Sequence, residues 1–157
     1  MLIVAGTLAG CMESRKLAAR VIDLEAFLRF LSRTQTEIRF EALPVEQIVR
    51  RHGGELNFLR ICARGCTQGK SFSAAWEESV AKGAKDSGFL PSDIELLQGF
   101  GREFGATDVE GQLSHCALYT ELVSEHLRKA REEKEKKSKL YRSLGIFGGV
   151  AAAIVLW

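Results

Sequence analysis

The stretch GCTQGKS, residues 65–71, is the part of the chain closest in type to a reactive loop. A phosphate-binding loop needs two glycines five positions apart, a lysine and a hydroxyl, so that backbone N–H groups wrap the phosphates while the lysine reaches them. Here Gly65 and Gly69 are four apart, and NFLRICAR before them lacks the pattern of a strand, so Lys70 and Ser71 are not expected to bind a nucleotide. Cys62 and Cys66 would share a helix face, and Cys116 follows His115. Zinc sites draw on paired C-x-x-C spacing, which the chain lacks, so these thiols read as reduced core or interface cysteines in a cytoplasmic domain. His52, His115 and His126 stand at no spacing from a nucleophile or carboxylate that sequence alone assembles into acid–base machinery. No catalytic residue, metal site or cofactor is therefore assigned, and an enzyme is not the expected class.

The elements that would position side chains are helical throughout. Leu17, Val21, Leu24, Leu28, Leu31 and Ile38 recur in steps of three, four and seven, which predicts one face of a long helix. Pro44 suits the first turn of a short helix through Val49, ended near Gly53 and Gly54. A third helix is expected over Leu56–Ala63, and a fourth from Ser73 through Trp76 and Val80 to Gly83. Ser92 with Glu95, and Thr107 with Glu110, fit capping boxes for the last two helices. Val109, Leu113, Cys116, Thr120, Val123, Leu127 and Ala130 continue in phase through Lys134 and Lys137 to Tyr141 and Leu144, without a proline. One helix from Asp108 to Trp157 would be about 75 Å long. A flexible linker over REEKEKKSK is the alternative for its middle. Between residues 40 and 106 no long β-branched alternation suggests strands.

Both ends are uncharged. Residues 1–12, MLIVAGTLAGCM, carry no charged side chain, and neither do residues 143–157. A span needs roughly 17–25 apolar residues, so the C-terminal segment reaches that length only with Leu140 and Tyr141 added and Arg142 extended to the interface. It reads as a membrane helix, with a buried C-terminal core helix as the alternative. Residues 1–12 fit part of a membrane helix, an interfacial anchor or a processing signal, LAGC resembling a lipoprotein cleavage site. Gly6 and Gly10 are four apart, as are Gly145 and Gly149, with Ala153 in line; such spacing suits close helix packing in a membrane, or merely reflects common membrane composition.

Charge placement says more than the formal net charge of +2. Arg15, Lys16 and Arg20 follow the first uncharged segment, and Lys134, Lys136, Lys137, Lys139 and Arg142 precede the second. Both collars face the middle, which by the positive-inside tendency puts that middle in the cytoplasm. The expected architecture is all-α: a compact antiparallel helical bundle of about six helices with N- and C-terminal membrane helices, the last helix long and continuous into the membrane. The divisions are a membrane segment over 1–12, a bundle over 13–130, a charged helical stalk over 131–142 and a membrane helix over 143–157. Balancing glutamates and the lack of an aromatic reading surface argue against nucleic acid as a partner.

SAAWEESV (73–80), LLQGFGREFGATDVEGQL (96–113), LYRSLGIFGG (140–149) and TEIRFEALPVEQI (36–48) occur in an order that resembles the stage III sporulation protein AB family of endospore-forming bacteria. The likeness covers the chain, although the family pattern has a fuller first membrane helix and this chain begins inside it. The resemblance implies a mother-cell membrane protein (outer forespore membrane) in the stage III sporulation A complex, the channel or secretion-like assembly joining mother cell and forespore. It also implies a cytoplasmic bundle similar to the F platform protein of type II secretion, docking and coupling a secretion-type ATPase, the sporulation AA protein. Expected partners are that ATPase, other membrane subunits of the complex and the lipid bilayer. Arg102, Glu103 and Asp108 are candidate partner contacts. Trp76 reads either as part of that contact region or as a core anchor. A stand-alone membrane tether without an ATPase is the competing function.

Overall fold

In the computed structural model the backbone is described for residues 2–155 and the side-chain environments for residues 12–144. The chain runs α1 (Leu2–Phe40), α2 (Val45–His52), a single 3-10 turn (Gly53–Glu55), α3 (Asn57–Thr67), α4 (Phe72–Gly83), α5 (Pro91–Glu103) and α6 (Val109–Val155). Among the described residues there are six α-helices and no strand. REEKEKKSK is helical as part of α6, as expected of a charged stalk and not of a flexible linker.

The long helices α1 and α6 lie antiparallel, a course marked by cross-pairs from Gln35 with Thr120 through Glu25 with Arg131 to Glu13 with Lys137. Helices α2–α5 pack beside this pair. The predicted face of α1 is the one that sinks into the core: Leu17, Val21, Leu24, Leu31 and Ile38 are buried. On α6 the buried apolar positions are Cys116, Val123, Leu127 and Ala130, with His115 buried beside them, while Val109, in the first turn, is 46% exposed.

Aromatic rings fill the centre. Phe27 meets Phe100 edge-on at 5.7 Å, Phe58 meets Trp76 edge-on at 5.5 Å, and Phe104 lies 4.7 Å from Phe100. Fully burying such a side chain contributes about 1.5–3 kcal/mol, and edge-to-face pairing adds to it. Trp76 is 1% exposed and donates its indole N–H to the Leu97 carbonyl at 2.8 Å, against Gly101, where a Cβ would overlap the indole. It is therefore a core anchor. Val80, Phe100 and Phe104 are buried with it, which leaves only the polar neighbours of those segments available for contact.

The predicted caps move by one or two positions. Helix α5 starts at Pro91, whose fixed φ and missing N–H suit a first helical position, so Ser92 lies inside the helix. Asp93 turns back to accept the Leu90 N–H at 2.8 Å. At α6 the cap is Asp108, which accepts the Gly111 N–H at 2.9 Å, and not Thr107. Pro44 precedes α2, whose first turn closes on its carbonyl.

Among the described residues no helix is long and apolar enough to cross a membrane. The packing candidates Gly6, Gly10, Gly145, Gly149 and Ala153 lie outside the residues whose side chains are described.

Candidate functional site

The amphipathic face of α1 that buries Leu17, Val21 and Leu24 also carries Arg20, which is 4% exposed. A guanidinium at a core position demands a carboxylate, and the start of α5 supplies it. Arg20 donates Nε to Asp93 Oδ2 at 2.8 Å and Nη2 to Oδ1 at 3.0 Å, a two-pronged bond to a carboxylate that is wholly buried. His126 of α6 brings Nδ1 to 2.6 Å from Asp93 Oδ1. A carboxylate only accepts, so that ring nitrogen carries the proton. With the Leu90 N–H, Asp93 accepts four hydrogen bonds and ties α1, α5 and α6 at one point. Glu133 of α6 adds an oxygen 3.5 Å from Arg20 Nη1. Burial pushes the Asp93 carboxyl up, but the hydrogen bonds from Arg20, His126 and Leu90 and the Arg20 charge outweigh it, and the group stays ionised below its ordinary value. The cluster contains no nucleophile; what it can do is hold three helices in register.

Above this clasp, towards the chain ends, lies a groove of about 460 Å³ between α1, α6 and the loop joining α4 to α5. The loop reaches α1 closely: a Cβ on Gly88 would overlap the backbone at Ala19 and Arg20. The Gly88 N–H is fixed by Asp23 Oδ2 at 2.8 Å. Lys137 pairs with Glu13 across the groove. Lys16 and Lys85, also in its lining, are exposed and in no ion pair among the described residues.

Arg102, Glu103 and Asp108 gather at the other end of the bundle, where α5 turns into α6. Arg102 is exposed, and Glu103 is 76% exposed with an oxygen 3.5 Å from His115 Nδ1. His115 stacks on Phe100 at 5.1 Å, and its Nε2 lies 2.9 Å from the Phe100 carbonyl. Asp108 is exposed but engaged as a helix cap. This corner is backed by Gly105, at φ +87°, packed against Val45.

The collar divides differently from its sequence order. Arg15, Lys16, Lys134, Lys136, Lys139 and Arg142 are exposed, and Lys137 is half-buried against α1. Arg20 is not a surface member of that collar, because it turns inward to Asp93. The loop resembling a phosphate site uses its own groups: Lys70 pairs with Glu78, and Ser71 caps α4 through the Ala74 N–H at 3.4 Å. Cys62 and Cys116 are free and buried, and burial pushes each thiol up to about 12. Sequence reasoning missed the clasp, although the arginine on an apolar helix face was a usable signal.

A family model described as stage III sporulation protein AB matches residues 1–157. A solved structure titled as a stage III sporulation protein AB is similar, with a TM-score of 0.68 and 19% identity over 75% of this chain and 98% of that one. At that identity the likeness shows the fold alone. A search among curated proteins found no match.

Proposed function

The chain belongs to the stage III sporulation protein AB family, and from that premise we propose that it is a non-enzymatic membrane platform that docks a cytoplasmic ATPase, the sporulation AA protein, and couples it to the stage III sporulation A complex. The observation that carries this reading is the shared exit of α1 and α6: both leave the bundle at the same end, locked by the Arg20–Asp93–His126 clasp, and each continues into an uncharged sequence. Large apolar side chains become exposed as the pair leaves, Met12 at 64%, Leu140 at 58% and Leu144 at 57%. Such exposure suits an approach to lipid better than to water. The exposed collar favours a cytoplasmic bundle on the mother-cell membrane, with the ends beyond it in the bilayer. In this reading Gly6, Gly10, Gly145, Gly149 and Ala153 pack the membrane helices against each other.

The polar corner at Arg102 and Glu103 faces away from that membrane and is the docking surface in this proposal. The test is capture of the purified ATPase by the full-length chain in detergent. Arg102→Glu is expected to weaken capture by about tenfold, or 1.4 kcal/mol, without loss of helicity. Capture untouched by that change removes the corner from the interface, and no capture at all favours a stand-alone tether. Recovery of the chain as a monomer without detergent or lipid would refute the membrane reading.

A further inference from the structure

We propose that the groove between α1, α6 and the α4–α5 loop binds the phosphate-bearing headgroup of an anionic membrane lipid. The inference rests on the membrane-tether reading and adds a ligand to it. The groove is about 460 Å³, within the range of small-ligand sites, and its positive groups are not all committed. Lys137 is taken by Glu13, and Arg20 by Asp93 and Glu133. Lys16, from α1, and Lys85, from the loop, line the same space and are in no ion pair among the described residues; its two carboxylates, Glu13 and Glu133, are engaged with Lys137 and Arg20. Two exposed lysines in the lining of one groove, on long flexible stems, suit a phosphate diester, which accepts from both.

Position selects the lipid as the source of that phosphate. The groove opens at Glu13, the first charged residue after the uncharged segment 1–12, and extends along α1 to Arg20, about 10 Å at the helical rise. The polar layer of one leaflet is about 5–7 Å thick, so a helix entering the bilayer just above Glu13 brings the mouth of the groove to the headgroups. Leu90, 41% exposed on the loop, adds an apolar contact at the lip for the glycerol and first methylenes. Basic clefts on the cytoplasmic side of membrane helices recognise headgroups by this combination of charge and depth.

The test uses the full-length chain in a neutral detergent, with retained lipid measured by native mass spectrometry from equal mixtures of phosphatidylglycerol and phosphatidylcholine. Wild type is expected to retain phosphatidylglycerol preferentially. Lys16→Gln weakens that retention by about fivefold and Lys16→Gln with Lys85→Gln by roughly thirtyfold. Lys136→Gln with Lys139→Gln, which removes equal charge outside the groove, leaves the preference in place. The site is overturned if both double variants lose lipid alike, since the collar then attracts lipid without a site, or if the groove variant keeps its preference. Displacement of the lipid by millimolar glycerol 3-phosphate would overturn the lipid source and assign the groove to a soluble phosphate. Failure of the tether reading shows separately, as absence of the chain from the membrane fraction.

Discussion

Replacing Asp93 with Asn keeps the shape of the side chain and removes its charge, which isolates what the clasp contributes. In the native protein the carboxylate is wholly buried and accepts from Arg20 twice, from His126 and from the Leu90 N–H. After substitution Arg20 keeps only Glu133, half-exposed at 3.5 Å, as an anionic partner. Breaking one side of a buried pair costs about 3–5 kcal/mol, because the remaining charge stays buried. Asn can still accept two of the bonds, so the lower figure of about 3 kcal/mol applies, a substantial share of a typical 5–15 kcal/mol stability. The melting midpoint should fall by roughly 10 °C. Trp76 fluorescence in detergent, on a Trp157→Phe background, reports the bundle alone, since those are the two tryptophans. Acid provides an internal check. The folded carboxyl sits below its ordinary value, so its stabilisation is complete above about pH 4 and is lost as pH falls through the folded value. That decline belongs to wild type, and the variant lacks this contribution to it. Pairing Asp93→Leu with Arg20→Met should recover most of the loss, because an apolar pair leaves no buried charge. A cost under about 1 kcal/mol for Asp93→Asn, or simple additivity in the double variant, would refute the clasp as the tie between helices.

Gly88→Ala places a methyl where the α1 backbone stands, so the loop must withdraw; a loss of about 1–3 kcal/mol in thermal melting is expected, while Gly54→Ala, with open space around it, changes stability by less than about 0.5 kcal/mol. The antiparallel register is open to cross-linking: with Cys11 replaced by Ala, Glu13→Cys and Lys137→Cys should be joined by a short thiol-reactive cross-linker of about the reach of the native ion pair, and Glu13→Cys with Lys129→Cys, about two turns earlier on α6, should not.

The order of helices was legible because each obeys a local rule. Apolar spacing marked α1 and α6, and Pro44 and the paired glycines marked the breaks between short helices. Cap positions were less legible, since Thr107 and Asp108 are adjacent residues with similar capping ability and only the turn geometry selects Asp108. The clasp was hidden for a different reason. Arg20 and Asp93 are 73 positions apart and His126 a further 33, so no window contains the three. Beside Arg15 and Lys16, Arg20 looked like a third collar residue. Its phase, between Leu17 and Leu24 on the buried face, was the stronger clue and points inward. The charged run from Arg131 to Lys139 hides a second long-range set, since Arg131, Glu133 and Lys137 all reach across to α1, while Lys139 pairs with Glu135 in its own helix. Nothing in the spacing of Arg102, Glu103 and Asp108 indicated that a buried histidine would lie beneath them.

The place of the clasp along α6 has a mechanical consequence. His126 is 17 residues from the start of the helix at Val109 and 29 from Val155. At the helical rise those lengths are about 26 and 44 Å. The clasp is thus a pivot with a short arm inside the bundle and a longer one beyond it. Because α6 is unbroken, a tilt about that pivot moves Val155 about 1.7 times as far as Val109, in the opposite direction. A small push on the corner beside Arg102 would appear at the other end as a larger swing, provided that Asp93 keeps hold of Arg20 and His126.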